Sequence, residues 1–176
     1  MNMLIRFFIM MTLLKSQLKQ QSAASSIDPE QLFNPVQHSY RVLPHDMGFR
    51  NHLPNYRYLS FIELNVTHWL TTIGHQVGMN DLMWIISMQE MVYLKEIKFF
   101  DKMTLKSVLE GWDGKYLYFQ HHFFVKNTLM AIGMTKFVLM NKAGKVVPET
   151  LGMQDQHITP VIDTWNGHQG AIKSQE

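Results

Sequence analysis

Two hydrophobic periodicities, one after the other along the chain, most constrain its fold. Apolar residues at spacings of three and four between Tyr58 and Leu70 predict one long helix over residues 56–72. Asn55 is the predicted N-cap of this helix, and Gly74 is its predicted end. The sequence that follows has the β-branched and aromatic composition of strands. We therefore expect a single long helix followed by a sheet.

Short turn signals separate the predicted strands. Four strand candidates follow the helix, over residues 83–94, 104–112, 116–126 and 129–140. The turn signals are Asp113-Gly114, Asn127-Thr128 and Ala143-Gly144. A fifth strand, over residues 38–43, precedes the helix. This order predicts an α+β fold in which a curved five-stranded antiparallel sheet wraps the helix, with one apolar sheet edge covered by a second copy of the chain.

The N-terminal segment, residues 1–20, has a composition of its own. Residues 1–14 are apolar except for three positions, one of which is Arg6. The run is too short to cross a bilayer, which needs about 20 apolar residues. An interfacial anchor with Lys15 and Lys19 at the lipid headgroups explains the pattern. A helix packed on the domain or on a partner subunit explains it equally well, and a signal peptide is the third alternative.

The rest of the chain divides into three parts. Residues 21–36 are rich in Ser, Pro and Asn, which predicts a linker with one helical turn at residues 30–33. The folded domain is predicted to cover residues 37–150. Residues 151–176 show no periodicity, which predicts an irregular surface tail.

Composition excludes several classes of protein. With 176 residues, 46% hydrophobic and 17% charged, the chain fits one globular domain with a sizeable core. A net charge of +2 does not supply the concentrated basic surface of a nucleic-acid binder. The sequence contains no Cys, which excludes disulfides, thiolate zinc sites and a cysteine nucleophile. No metal site is predicted, and the expected location is cytoplasmic, or peripheral at the inner face of a membrane.

One segment resembles a known family. Residues 42–59, VLPHDMGFRNHLPNYRYL, resemble the opening motif of the hot-dog-fold acyl-CoA thioesterases of the 4-hydroxybenzoyl-CoA thioesterase-like type. That motif runs approximately Asp-x-Asp-x-x-x-His-Met-Asn-Asn-x-x-Tyr and precedes the central helix. Residues 116–148 are similar to the last two strands of the family, so the resemblance covers roughly residues 38–150.

The resemblance implies an architecture and a substrate. It implies a dimer or tetramer whose sites lie at the subunit interface, beside the N-terminus of the long helix. It also implies an acyl thioester of coenzyme A or of a carrier protein as the ligand, with coenzyme A as part of the substrate and no other cofactor. The unpaired N–H groups at a helix N-terminus can stabilise the oxyanion of such a reaction.

The motif carries over position by position, with two departures. Asp46 matches its first Asp, His52 its His, Asn55 its second Asn and Tyr58 its Tyr. Gly48 stands at the second Asp, to which the family's chemistry is usually assigned, and Pro54 stands at the first Asn. Because Gly48 has no side chain to activate a water molecule, another residue must supply the base.

The candidate catalytic residues are Asp46, Glu63 and His52, and the candidate substrate-binding residues are Asn51, Asn55 and Tyr58. Glu63 matches an acidic position recurrent in the family, eight residues beyond Asn55 and so about 12 Å along the helix. Each candidate also has a structural alternative, such as bonding loop N–H groups or bracing a turn. Two functions therefore stay open: an acyl-CoA thioesterase weakened at Gly48, or a non-catalytic hot-dog protein that binds an acyl group or a protein partner.

Overall fold

The computed structural model describes residues 3–20 and 29–174, and it contains the predicted long helix and sheet. The helices are α1 (Met3–Leu18), α2 (Pro29–Leu32), α3 (Pro44–Met47), α4 (Asn55–Gln76) and α5 (Pro160–Lys173). The strands are β1 (Val36–Arg41), β2 (Met83–Tyr93), β3 (Lys102–Trp112), β4 (Leu117–Val125), β5 (Thr128–Asn141) and β6 (Gly144–Val146). A 3₁₀ turn covers Pro148–Leu151.

The sheet is antiparallel and wraps α4, which confirms the predicted α+β fold. Its strand order is β1-β3-β4-β5-β2, and the short strand β6 pairs with the end of β5. The predicted five-stranded sheet therefore has a sixth strand. Within the described residues, β1 forms one edge of the sheet and β2 forms the other. Aromatic and aliphatic side chains of α4 and of the inner sheet face form the core between them.

The predicted elements differ from the observed ones at their ends. The N-cap of α4 is Pro54 and not Asn55, which is the first helical residue. The helix continues past Gly74 to Gln76. Gly74 serves close packing and not the helix end, since a Cβ there would lie 2.5 Å from the Met79 carbonyl oxygen. The hairpin predicted at Asn127-Thr128 is shifted by one residue, since Lys126 and Asn127 have the positive φ angles of such turns.

The C-terminal tail is not irregular throughout, and this prediction is wrong for Pro160–Lys173. There α5 packs on the outer sheet face, where Ile162 and Trp165 contact Tyr118. Of its apolar side chains only Ile162 and Trp165 are buried, so its apolar stripe is short. Its Thr159-Pro160 start, in which Thr159 Oγ1 accepts a hydrogen bond from the Ile162 N–H, is the signal that sequence reasoning missed.

The N-terminal segment forms helix α1, which packs on α4 through its inner face. This arrangement is the second of the three alternatives that the sequence left open. None of the helices within the described residues is long and apolar enough to cross a membrane. The first half of the predicted linker, residues 21–28, lies outside the described residues, and α2 corresponds to its predicted helical turn.

A chain of hydrogen bonds crosses the core beneath α4. The Asn65 amide nitrogen lies 3.1 Å from Ser107 Oγ, which lies 2.8 Å from His121 Nδ1, and His121 Nε2 lies 3.1 Å from Thr135 Oγ1. Ser107 Oγ accepts a hydrogen bond from the Asn65 amide, and each imidazole nitrogen of His121 has a hydroxyl partner. Burial lowers the pKa of His121 to about 3, so this histidine is a neutral core residue.

Candidate functional site

Asp46 lies in a buried ion pair. Its side chain is 0% exposed, and its two oxygens lie 3.1 and 2.8 Å from the two terminal guanidinium nitrogens of Arg6. The Leu43 N–H also donates to Asp46 Oδ2 over 3.0 Å, and Arg57 Nε lies 3.8 Å from Oδ1. The first predicted base is thus surrounded by protein donors and fixes the loop before α4 to helix α1.

The sequence did not predict that Arg6 is the partner of Asp46. It is 4% exposed, donates a further hydrogen bond to the Arg41 carbonyl oxygen, and lies over the Phe61 ring at 5.0 Å. A single charged residue inside an apolar helix must be paired or must reach water, and this is the only signal in the sequence. The partner, 40 residues away, could not be identified from the sequence.

Gly48 departs from the family motif in its backbone as well as its side chain. Its φ of 62° and ψ of −124° form a conformation that L-residues rarely adopt. A Cβ built there would lie 3.6 Å from the Tyr56 hydroxyl oxygen, so space itself does not exclude a side chain. The backbone path, and not crowding, favours glycine at this position.

Asn51 and His52 lie together in the loop before α4. Asn51 Oδ1 is 3.1 Å from His52 Nδ1, and the same nitrogen is 3.7 Å from Glu96 Oε1. The His52 backbone forms a β-bridge with Lys98, which ties the loop to the segment after β2. Both residues therefore brace the loop in this structure, and neither lines the groove described below.

Asn55 and Tyr58 differ in accessibility. Asn55 is exposed at the start of α4, where the first N–H groups of a helix have no acceptor within it. Tyr58 is 2% exposed and packs edge-on against Tyr93 and Phe123. Burial raises the pKa of Tyr58 to about 12. Asn55 can meet a ligand, whereas Tyr58 is a core residue.

A groove beside α4 contains one of the candidate residues, Glu63. We call it the α1/β2 groove, and its volume is about 690 Å³. From α4 it is lined by Arg57, Ser60, Glu63, Leu64 and Thr67, from α1 by Met3, Leu4 and Phe7, and from β2 by Trp84, Ile85 and Ile86. The polar side chains all come from one face of α4, and the two walls are apolar.

Glu63 is the predicted base that the structure places in this groove. Its side chain is exposed to the groove, and partial burial raises its pKa above the usual value of 4.5. A carboxyl with a raised pKa retains basicity closer to neutral pH, as a general base requires. Of the three candidate catalytic residues, Glu63 is the one that lines this groove.

Arg57 is a groove residue that sequence reasoning missed. Its Nη2 donates to the His45 carbonyl oxygen over 3.0 Å, while its buried Nε forms no hydrogen bond with any residue that the structure describes. The same Nε lies 3.8 Å from Asp46 Oδ1, and the side chain places a positive charge at the end of the groove nearest the start of α4. Within the described residues no cluster of three or more His, Asp or Glu side chains could hold a metal ion.

Comparisons with known proteins agree with this fold. No curated protein matches the chain by sequence. A hypothetical protein from Staphylococcus aureus, solved in complex with CoA, superimposes with a TM-score of 0.60 at 15% identity, over 73% of this chain and 91% of that chain. A probable thioesterase from Bartonella henselae superimposes with a TM-score of 0.55 at 16% identity, over 72% of this chain and 100% of that chain. At such identities the similarity establishes the hot-dog fold.

The family follows from the sequence match. Residues 42–158 match the model of the thioesterase-like superfamily. This segment begins just after β1, contains α4 and strands β2 to β6, and ends before α5; α1 lies outside it. With this match over most of its length, the chain belongs to the thioesterase-like superfamily.

Proposed function

We propose that this protein hydrolyses acyl-CoA thioesters, with Glu63 as the general base. The observation that carries the proposal is the position of Glu63, a carboxylate of raised pKa in a groove with apolar walls. Asp46 is bound to Arg6, and Gly48 has no side chain, so neither competes for this role. An acyl-carrier thioester would present the same carbonyl group to the base.

The reaction needs only groups of this chain and water. Glu63 takes a proton from the water that attacks the thioester carbonyl carbon, which forms a tetrahedral oxyanion. The carbon–sulfur bond then breaks, and the thiolate takes the proton back from Glu63, which releases free coenzyme A and the carboxylic acid. Helix N–H groups at Asn55 would stabilise the oxyanion, since they carry partial positive charge.

A second copy of the chain would complete this site. Glu63 lies about 12 Å along α4 from Asn55, too far for both to act on one carbonyl group. Strand β2 forms a free sheet edge within the described residues and exposes Met83, Ile85 and Val92. If two copies pair through β2 about a two-fold axis, their α4 helices run antiparallel, and Asn55 of one copy approaches Glu63 of the other.

Free-thiol release across acyl-CoAs, from acetyl to palmitoyl and benzoyl, tests the proposal. Glu63→Gln should lower kcat by about 100-fold or more, within the range of general-base catalysis. Glu149→Gln is the matched control, because Glu149 is exposed and lies outside the groove. Turnover that survives in Glu63→Gln would contradict the assignment of the base.

Asp46 is held in an ion pair with Arg6, and Gly48 has no side chain to act as a base. These two observations favour one alternative function, an acyl-binding protein without turnover. Binding of palmitoyl-CoA with no thiol release above background, by folded protein, would establish this alternative. The same assay thus separates the two functions.

We also propose that the outer face of α1 rests on a membrane surface. Ile5, Phe8, Ile9 and Leu13 are exposed on this face, and Lys15 follows them. Such a stripe next to lysines suits an anionic bilayer surface. Co-sedimentation with phosphatidylglycerol vesicles should fall when Phe8 and Ile9 are changed to Gln, and unchanged binding would contradict the proposal.

A further inference from the structure

Helix α1 contributes a wall to the α1/β2 groove, although it lies outside the matched segment of residues 42–158. We infer that this helix selects the acyl chain. The groove binds an unbranched medium or long aliphatic chain between α1 and β2, and contacts of the chain with Phe7 and Leu4 determine which chain lengths bind. This inference rests on the proposed function, because it assigns the acyl part of the same substrate.

The first support is the chemistry of the groove walls. Met3, Leu4 and Phe7 line one side, and the β2 side chains of Trp84 and Ile85 line another, all of them apolar. The polar groups are confined to α4, so the groove is amphipathic across its width. An acyl thioester has the same division, with a polar carbonyl head and an aliphatic tail. The volume of about 690 Å³ falls within the range of small-molecule sites.

The second support is the rigidity of the wall. A wall can select by length only if its position is fixed, and Arg6 fixes α1 between the two lining residues Met3 and Phe7. Its guanidinium is bound to Asp46 through two contacts and to the Arg41 carbonyl oxygen through a third. Further along the helix, Leu14 is buried on the same side. The charged pair therefore fixes α1 to the loop that leads into α4.

The third support is that the two faces of α1 carry leucines of equal exposure, of which one lines the groove and the other does not. Leu4 and Leu13 are equally exposed, at 61% and 60%, but only Leu4 lines the groove. The same helix therefore offers a groove leucine and a matched leucine outside it. Truncation of either side chain removes little buried surface, so both variants should fold.

The test is the binding of acetyl-, octanoyl- and palmitoyl-CoA to the full chain by calorimetry, without lipid. We expect Phe7→Ala to raise the dissociation constant of palmitoyl-CoA about 10-fold, and Leu4→Ala to raise it about 3-fold. Acetyl-CoA binding should not change, because its acyl group does not reach the wall. Leu13→Ala should behave as the unaltered protein with all three ligands.

Each other outcome has a distinct meaning. If the unaltered protein binds none of the three acyl-CoAs, the proposed function fails and the inference fails with it. If the protein binds them but Phe7→Ala and Leu4→Ala match Leu13→Ala, the wall role is wrong while the function stands. If palmitoyl-CoA converts a dimer to monomers in sedimentation experiments, the groove belongs to a second copy, which also overturns the inference.

Discussion

The loop before α4 and the groove along α4 each hold a carboxylate that could serve hydrolysis, but in opposite environments. Asp46 in the loop is fully buried and bound to Arg6, whereas Glu63 in the groove is exposed beside apolar walls. The loop carries the family motif, whereas Glu63 in the groove lies outside that motif. In this chain, then, the residues that carry the resemblance secure the fold, and the accessible chemistry lies two turns further along the helix.

Breaking the ion pair should give the largest effect. Arg6→Met leaves Asp46 buried without its partner, which should lower the free energy of unfolding by about 3–5 kcal/mol. Denaturant unfolding followed by circular dichroism measures the loss. Arg50→Met is the control, because Arg50 is exposed. Equal stability of the two variants would show that the loop does not depend on Arg6.

Acid should lower the free energy of unfolding, and this loss sets the lowest pH at which Glu63 can be titrated in the folded protein. The unfolded His121 binds a proton below about pH 6.5, but the folded one does so only near pH 3. Because the unfolded state binds more protons in this range, stability should fall as the pH drops from 6.5 towards 3, by a few kcal/mol. His121→Gln should flatten this dependence in thermal unfolding scans. An unchanged slope would assign the acid sensitivity to other groups.

Restoring the motif carboxylate should have the smallest effect. Gly48→Asp must adopt the positive φ of Gly48, which should cost about 1–2 kcal/mol and leave thiol release unchanged. Gly48→Ala bears the same strain without a carboxylate and is the control for unfolding and activity. A rise in turnover in the Asp variant alone would show that the loop can relax to the family geometry, which would remove the contrast between loop and groove.

Much of the fold was predictable because its signals are local. Strands β2 to β5 were placed to within two residues, since alternation and turn residues act over a few positions. Helix α5 was missed because only two of its apolar side chains, Ile162 and Trp165, pack on the sheet. The short strand β6 was missed because its three residues are too few to show alternation, although the turn before it was predicted.

The site divides in the same way. By itself, the sequence determined the family, the long helix and the candidate carboxylates, because these depend on residue type and spacing. Only the tertiary structure decided which carboxylate is accessible: Arg6 binds Asp46 across 40 residues and buries it, while α1 and β2 line the groove that contains Glu63. Burial and pairing are properties of side chains distant in sequence, and local pattern carries no information about which of them meet.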